Sequence, residues 1–507
     1  MEDYIEYEKD LHVVKHIKSG VSGKVNEICK GEVNKTTKEC NGKLYAEKVY
    51  IYEPDFNEIN ALCRFDHPHL LKSAGLYMDT SDRLHLLLPL ADGDLTSVIK
   101  HELIELDECI THIYHILSAV DFLHSQGYYH CDIKPDNILM FEGKVVVSDF
   151  GWVFPMSFNN EHTCGTPTYA SPQGWESAPR KGFYNETLNQ IQSDIFSIGA
   201  IFYECITGYK LIRYKSIDLS SDYDKVEKIL LGSIKNETDD DVKLAYECIY
   251  KMCRLSQDDR LKTIDEVLHQ PIFKNRGLIV PISGRVKKTP IIENMCNFTV
   301  LKDNGETITL SRVLSRAFEW GIQLMSFLNI TSPLSIVCFI TLFYRSAWLI
   351  KTINDIQLIL CACIYLTSSV CFPTLVTFKK LSHFTSNTYT EKEIKDKVYK
   401  VLIFLKGRVI SPSIMDKTDN ILEIVWWISR SLQDCEFLSK SPSICHSIYT
   451  KMESKYPSLI SSRIPKRQYI QIRYSKGKIK IQYLEDNVKK IVIVEYNLEG
   501  DYITLLK

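Results

Sequence analysis

The sequence predicts an α+β protein in three successive parts. A mixed body opens on a small antiparallel sheet and continues in helices; an all-α helical bundle follows, and a short β-rich C-terminal segment ends the chain. Three observations carry this expectation. Residues 11–50 alternate apolar and polar with turn residues between them, as half-buried strands do. Helical spacing dominates from about 105 to 127, 186 to 270 and 308 to 450. After about 465, "RQYIQIRYSKGKIKIQYLEDNVKKIVIVEYNLEGDYITLL" alternates strictly with Gly and Asn at the turns, as a β-meander would.

The totals bound the function classes. A length of 507 residues allows two to four domains. The net charge of −2 gives no general attraction to nucleic acid or membrane, so no nucleic-acid partner is expected. The 16 cysteines have no repeating spacing and no C-x-x-C pair; Cys361 and Cys363 form only a C-x-C on an apolar run. That pattern favours reduced, mostly buried thiols in an intracellular protein, cytoplasmic or nuclear. "MEDYIEYEKD" is acidic and lacks an apolar core segment, so it is not a secretory signal and the protein is expected not to be secreted.

Within the first part, "NKTTKECNGK" (34–43) is a polar connection between strands and residues 55–65 have helical spacing. "LHLLLPL" (84–90) is a buried strand, and "GKVVVSDFG" (143–151) is a short apolar strand entering a turn. "KNRGLIVPISGRVKKTP", rich in Pro, Gly and basic residues, reads as a linker.

Several residues in this order suit phosphoryl transfer. In "IKSGVSGKV" (17–25), Gly20 and Gly23 permit the backbone to approach phosphate oxygens, although two glycines equally suit an ordinary β-turn. "LYAEKVY" (44–50) puts Lys48 on a strand, where an inward-facing amine needs a partner; Glu58 on the next helix is the natural one. In "YYHCDIKPDNILM" (128–140), Asp132 can accept the proton of an incoming hydroxyl. Lys134 can neutralise the transferring group, and Asn137 can hold a metal ion. "SDFG" then puts Asp149 after a buried strand, where a carboxylate can ligate Mg²⁺ bridging phosphates.

Together these residues resemble the eukaryotic-type protein kinases over about 11–275. The resemblance implies a bilobal kinase fold, with a small lobe at 11–90 and a large lobe at 91–275. It also implies ATP and Mg²⁺ as cofactors. Ile17, Lys18, Ser19, Gly20, Val21, Ser22, Gly23, Lys24 and Val25 fall on the glycine-rich loop, and Lys48 and Glu58 on the nucleotide-anchoring pair. Leu88 matches the gatekeeper, and "PLA" (89–91), with Leu90, the adenine-binding hinge. His130, Asp132, Lys134 and Asn137 match the catalytic loop; Asp149-Phe150-Gly151 match the metal-binding triplet. "GTPTYASPQ" (165–173) resembles the end of the activation segment, Asp194 the residue tying back to the catalytic loop, and Arg260 the late arginine. Lys134 and Thr166 are of the serine/threonine type, so the implied reaction is transfer of the γ-phosphoryl of ATP to protein Ser/Thr hydroxyls. A pseudokinase scaffold is the alternative.

Three departures stand out. Lys18 replaces the first loop glycine, and Gln173 replaces the glutamate that meets Arg260. Cys131 replaces the arginine beside the catalytic Asp, and His162 stands where the usual phosphoacceptor would be. Receptor and phosphate-bearing residue are thus lost together, which is coherent, since the arginine without its phosphate would be an unpaired charge. The expectation is intact chemistry without the phosphate latch.

The run from Ile356 to Phe378 carries no charge and is long enough to span a bilayer, giving a membrane-tethered alternative. A buried bundle helix explains it equally well. Its flanks, from "LSRAFEWGIQLMSFLNITSPLSIVCFITLFYRSAWLI" onward, resemble a cyclin box over about 310–450, with Trp320 in the first helix and Tyr344-Arg345 where cyclins have Asp-Arg. "LQDCEFLSKSPSI" (432–444) resembles part of a second box. By alignment Ser369 and Val398 hold the positions of the cyclin Lys and Glu that contact a partner kinase, so both docking charges are absent. The expected organisation is a tail (1–10), a kinase domain (11–275), a linker (276–307), a cyclin-like domain (308–450) and a β-rich segment (451–507). Expected partners are protein substrates and an intramolecular contact between the cyclin-like and kinase domains.

Overall fold

A computed structural model describes residues 11–19, 23–33, 40–101, 104–155, 165–174, 189–213, 220–287, 299–302, 306–309, 311–371, 376–410, 427–428, 471–475, 478–485, 488–496 and 503–506. Gly20, Val21, Ser22, His162 and the 432–444 segment therefore lie outside the described residues. The chain divides into two compact units, one of Met1–Asp79 and His85–Lys287, the other of Thr80–Leu84 and Lys288–Lys507.

The first unit opens on strands β1 (Leu11–Ser19), β2 (Gly23–Lys30) and β3 (Lys43–Tyr50), followed by helix α1 (Phe56–Arg64) and strands β4 (Gly75–Met78) and β5 (Leu84–Pro89). The sheet order is β1-β2-β3-β5-β4. β3 is central, with Lys48 opposite Val25 on one side and Leu86 on the other. α1 starts where Asp55 caps it, accepting from the backbone N–H groups of Asn57 and Glu58. Cys29 and Cys40 are joined as a disulfide, with Cα atoms 5.9 Å apart. This corrects the reading of uniformly reduced thiols: the β2–β3 connection brings together two cysteines that sequence spacing does not flag. The other described cysteines, all but Cys131, are buried.

Helices α2 (Leu106–Ser125), α3 (Gln190–Thr207), α4 (Ser220–Asn236) and α5 (Asp240–Met252) build the helical part of this unit, with the hairpin of β6 (Ile138–Phe141) and β7 (Lys144–Val147) between α2 and α3. α3 is apolar almost all round and correspondingly buried. Gly199 lets it approach Met252 and Cys253, because a Cβ there would lie 2.6 Å from the Cys253 Sγ. Residues 278–287 differ from the linker that composition suggests. They pack along α2 and end as Arg285–Val286, paired antiparallel with Phe65–Asp66 just after α1.

The second unit holds α6 (Ser311–Phe327), α7 (Pro333–Ser346), α8 (Ile353–Cys371), α9 (Phe378–Phe384) and α10 (Glu391–Phe404). α8 packs against α6, α7 and α10. It is the one described helix long and apolar enough to cross a membrane, yet 67% of its apolar window is buried inside the protein. It ends at Cys371, short of the Phe378 at which the uncharged run stops. Gly321 of α6 meets the Phe339 ring, where a Cβ would come within 2.3 Å. Strands β8 (Gln471–Ser475), β9 (Lys478–Glu485), β10 (Val488–Tyr496) and β11 (Ile503–Leu506) form an antiparallel sheet in sequence order.

Candidate active site

The alternation of β3 puts residues 46, 48 and 50 on one face. The Lys48 Nζ donates to both carboxylate oxygens of Glu58, at 2.7 and 2.6 Å. The side chains are only 16% and 7% exposed, so neither charge would be tolerated there alone. Tyr50 donates its hydroxyl to Glu58 Oε2 at 3.0 Å, and burial with the neighbouring Glu58 charge pushes its phenol far above the ordinary range. Sequence reasoning missed Tyr50, although its two-residue step from Lys48 was the available signal.

On the glycine-rich hairpin, Lys18 pairs with Val25 and Ser19 with Lys24, and Ile17, Lys18, Ser19 and Lys24 are exposed. Gly23 has a reason besides phosphate approach: a Cβ there would lie 2.2 Å from the Val49 carbonyl oxygen. Leu88 pairs with Ala46 on β3, and Leu88 and Leu90 are half-buried at the end of β5.

The catalytic loop is held from below. Buried Asp194 on α3 accepts from the backbone N–H groups of His130 and Cys131, both at 3.0 Å, and pairs with His124 at 2.9 Å. His130 Nε2 donates to the Ser148 carbonyl at 3.1 Å, linking this loop to the strand before Asp149. Lys134 Nζ donates to Asp132 Oδ2 at 2.6 Å and to Thr166 Oγ1 at 2.9 Å, and Thr166 donates to Asp132 Oδ1 at 2.8 Å. Asp132 thus has one oxygen on a cation and one on a hydroxyl, which fixes its plane. Thr166, noted in the sequence only as a class marker, is a member of this triangle.

Asn137 spends its Nδ2 on the Asp132 carbonyl at 2.9 Å and carboxylate at 3.2 Å, which reserves its Oδ1 for a cation. Asp149, with φ 62°, turns into a short helical turn; its side chain is exposed while Phe150 is buried. A Cβ at Gly151 would lie 3.4 Å from Asp55 Oδ2 and 3.5 Å from Asp149 Oδ1, so the triplet sits beside the start of α1. Burial, then the Glu58 charge, pushes Asp55 up to about 6. Among the described residues no group of three or more His, Cys, Asp or Glu could cage a metal. The donor set fits Mg²⁺, which commonly takes one or two protein ligands plus phosphate oxygens.

The departures have definite geometry. Cys131 has φ 69°, a region costly for a residue with a side chain, and its Sγ lies 3.7 Å from the Gln190 Oε1. Arg260, fully buried, donates to Gln173 Oε1 at 3.0 Å and to the carbonyls of Arg254, Gln192 and Leu255 at 2.8, 3.2 and 3.1 Å. With glutamine in place of glutamate, this contact is a neutral-acceptor hydrogen bond.

Residues 11–273 match the protein kinase domain family. The chain belongs to that family. Its members use ATP and Mg²⁺ as standard. The kinase region is 27% identical over 228 residues to the Aurora kinase of Saccharomyces cerevisiae, covering 43% of this chain and 57% of that one. It is 28% identical over 250 residues to the serine/threonine-protein kinase DCLK1 of Rattus norvegicus (46% and 54% covered). With the CBL-interacting serine/threonine-protein kinase 2 of Arabidopsis thaliana it shares 32% over 181 residues (34% and 37% covered). The chain spans about half or less of the length of these curated relatives.

Proposed function

We propose that this kinase-family chain transfers the γ-phosphoryl of Mg²⁺·ATP to Ser or Thr hydroxyls of proteins. The single observation that carries the reading is the Asp132–Lys134–Thr166 triangle, standing with the Lys48–Glu58 pair already closed. Asp132 orients the incoming hydroxyl and accepts its proton; Lys134 and Lys48 balance phosphate charge; Asn137 and Asp149 hold the metal. Ile17, Lys18, Ser19, Gly20, Val21, Ser22, Gly23, Lys24 and Val25 cover the nucleotide, with Leu88 and Leu90 at the adenine. The missing latch at Cys131 and the closed pair together support activity without activation-loop phosphorylation. The test is γ-phosphoryl transfer by the full chain to a mixed Ser/Thr peptide pool, against Asp132→Asn. A loss of roughly 10²–10⁴-fold is expected from removing the base. Equal rates, or no turnover by the wild type, would sink the enzyme reading in favour of a scaffold.

The second unit is proposed to be cyclin-like. Five described helices, with α8 buried among α6, α7 and α10, support this. Val398, aligned with a cyclin docking charge, is fully buried in α10, and so could not form a surface contact. A tethered bundle would act in cis, where linkage alone raises effective concentration to about millimolar. We also propose an intracellular setting, supported by the buried described cysteines other than the Cys29–Cys40 pair.

A further inference from the structure

Helix α1 carries Glu58 near its start and ends at Arg64, and both ends must be placed for Glu58 to meet Lys48. The far end is tied down by a segment beyond the part that matches the kinase family. After Gly277 the chain runs along α2, where the Tyr114 hydroxyl donates to the Val280 carbonyl at 2.7 Å. The His67 Nε2 then donates to the Ile282 carbonyl at 2.9 Å. Burial pushes that imidazole down to about 4, so it is neutral, and its Nδ1 accepts from the His69 N–H. Gly284 lies flat on α2: a Cβ would fall 2.8 Å from Phe122 Cδ2 and 3.0 Å from the His67 Cβ. Arg285 pairs with Asp66 at 2.7 Å, and the Lys287 N–H donates to the Arg64 carbonyl at 2.8 Å. That carbonyl is one of the terminal acceptors a helix leaves open. The Arg64 guanidinium meanwhile donates to the Tyr128 hydroxyl at 2.9 Å, two residues before the catalytic loop's His130.

We propose that residues 280–287 are a clamp that fixes the C-terminal end of α1 to α2, so that Gly284 and Arg285 are positioning residues for phosphoryl transfer through the Lys48–Glu58 pair. The clamp takes the place of the phosphate latch as the source of a fixed α1, and it rests on the kinase reading above. It also explains the glycine at 284, since any side chain there would wedge the strand off the Phe122 ring.

The experiment uses the full chain with Gly284→Val, Arg285→Asp and Arg285→Lys. It measures kcat and the KM for ATP well below the unfolding temperature, and amide hydrogen exchange across residues 56–64. Gly284→Val is expected to lower kcat at least ~10-fold, a misplacement effect, and to speed exchange in α1. Arg285→Asp, which faces Asp66 with a like charge on an exposed rim and leaves the core intact, is expected to shift both in the same direction by less; Arg285→Lys is expected to restore wild-type values. Should Gly284→Val not fold, the Arg285 pair decides. A lowered unfolding temperature with unchanged kcat and unchanged α1 exchange would overturn the clamp and leave 280–287 as mere cover. If the wild type shows no turnover, the kinase reading fails and the exchange measurement alone judges the clamp: unchanged protection of 56–64 overturns it.

Discussion

Glu47 and Lys48 are neighbours on β3 and face opposite ways, and the two faces solve the same problem differently. Each buries a charge in a sheet. Lys48 hydrogen-bonds a single carboxylate, Glu58, supplied by a helix outside the sheet, and its side chain stays 16% exposed. Glu47, 4% exposed, is surrounded: Tyr77 donates to its Oε1, His85 Nδ1 donates to the same oxygen at 2.9 Å, and Asn26 donates to Oε2 at 3.1 Å. His85 reaches on to Asp79 at 3.2 Å and stacks on the Tyr77 ring. All of these partners come from strands or strand ends of the same sheet, so nothing in the cluster can swing away. One face is built so that its charge can be used, the other so that its charge is locked.

The sharpest way to break this comparison is a pair of substitutions with opposite readouts. Lys48→Arg keeps a cation beside Glu58 and is expected to cost roughly 10²–10³-fold in kcat, by misplacing a charge aimed at the transferring phosphate, while moving the unfolding temperature little. Glu47→Ala should do the reverse. It strips the acceptor from two buried donors, Tyr77 and His85, and from the half-buried Asn26, which costs on the order of 3 kcal/mol. That is a fall in unfolding temperature of about 5 °C for a unit of this size, with kcat of the folded protein largely kept. Calorimetry and turnover on the same two samples decide the matter; an active-site loss for Glu47→Ala as large as that for Lys48→Arg would erase the distinction between the faces.

The two faces also differ in how far the sequence discloses them. That Lys48 meets Glu58, and Asp132 meets Lys134 and Asn137, was legible because phosphate chemistry restricts residue type and order together. Tyr50 was within reach by the strand period. Glu47 was not, because its partners at 26, 77 and 85, with Asp79 behind His85, come together only through the pairing of separate strands, and that register is a tertiary fact. The disulfide between Cys29 and Cys40 was hidden for the same reason. The clamp at 280–287 was hidden differently: Pro and Gly announce that no helix or long strand forms, and say nothing about whether an irregular chain is packed. In the second unit the apolar run at 356–378 was long enough for a bilayer on composition alone. Burial of α8 among its neighbours is what distinguishes a core helix, and only the fold contains it.

The smallest expected effect sharpens the locked face by its pH dependence. Burial alone would lower the pKa of His85; hydrogen bonds and charge from Glu47, then from Asp79, more than offset this and hold it above its ordinary value of 6.5. Burial likewise would raise Glu47, but hydrogen bonds from His85, Tyr77 and Asn26 hold it below its ordinary 4.5. A raised histidine contributes stability that is complete below about 6.5 and fades as pH climbs through its folded value; a lowered carboxylate contributes above about 4.5 and fades as pH falls through its own. The two windows overlap between about 4.5 and 6.5, so the advantage of the wild type over His85→Gln is expected to be largest there, a few degrees in unfolding temperature, and to narrow by pH 9. His67 and His115, both pushed down to about 4 by burial, destabilise the fold on acidification, but they are present in both proteins and cancel in the difference. A difference that widens with rising pH would mean that His85 sits neutral between its carboxylates, and that the face is held by packing and hydrogen bonds without an ion pair.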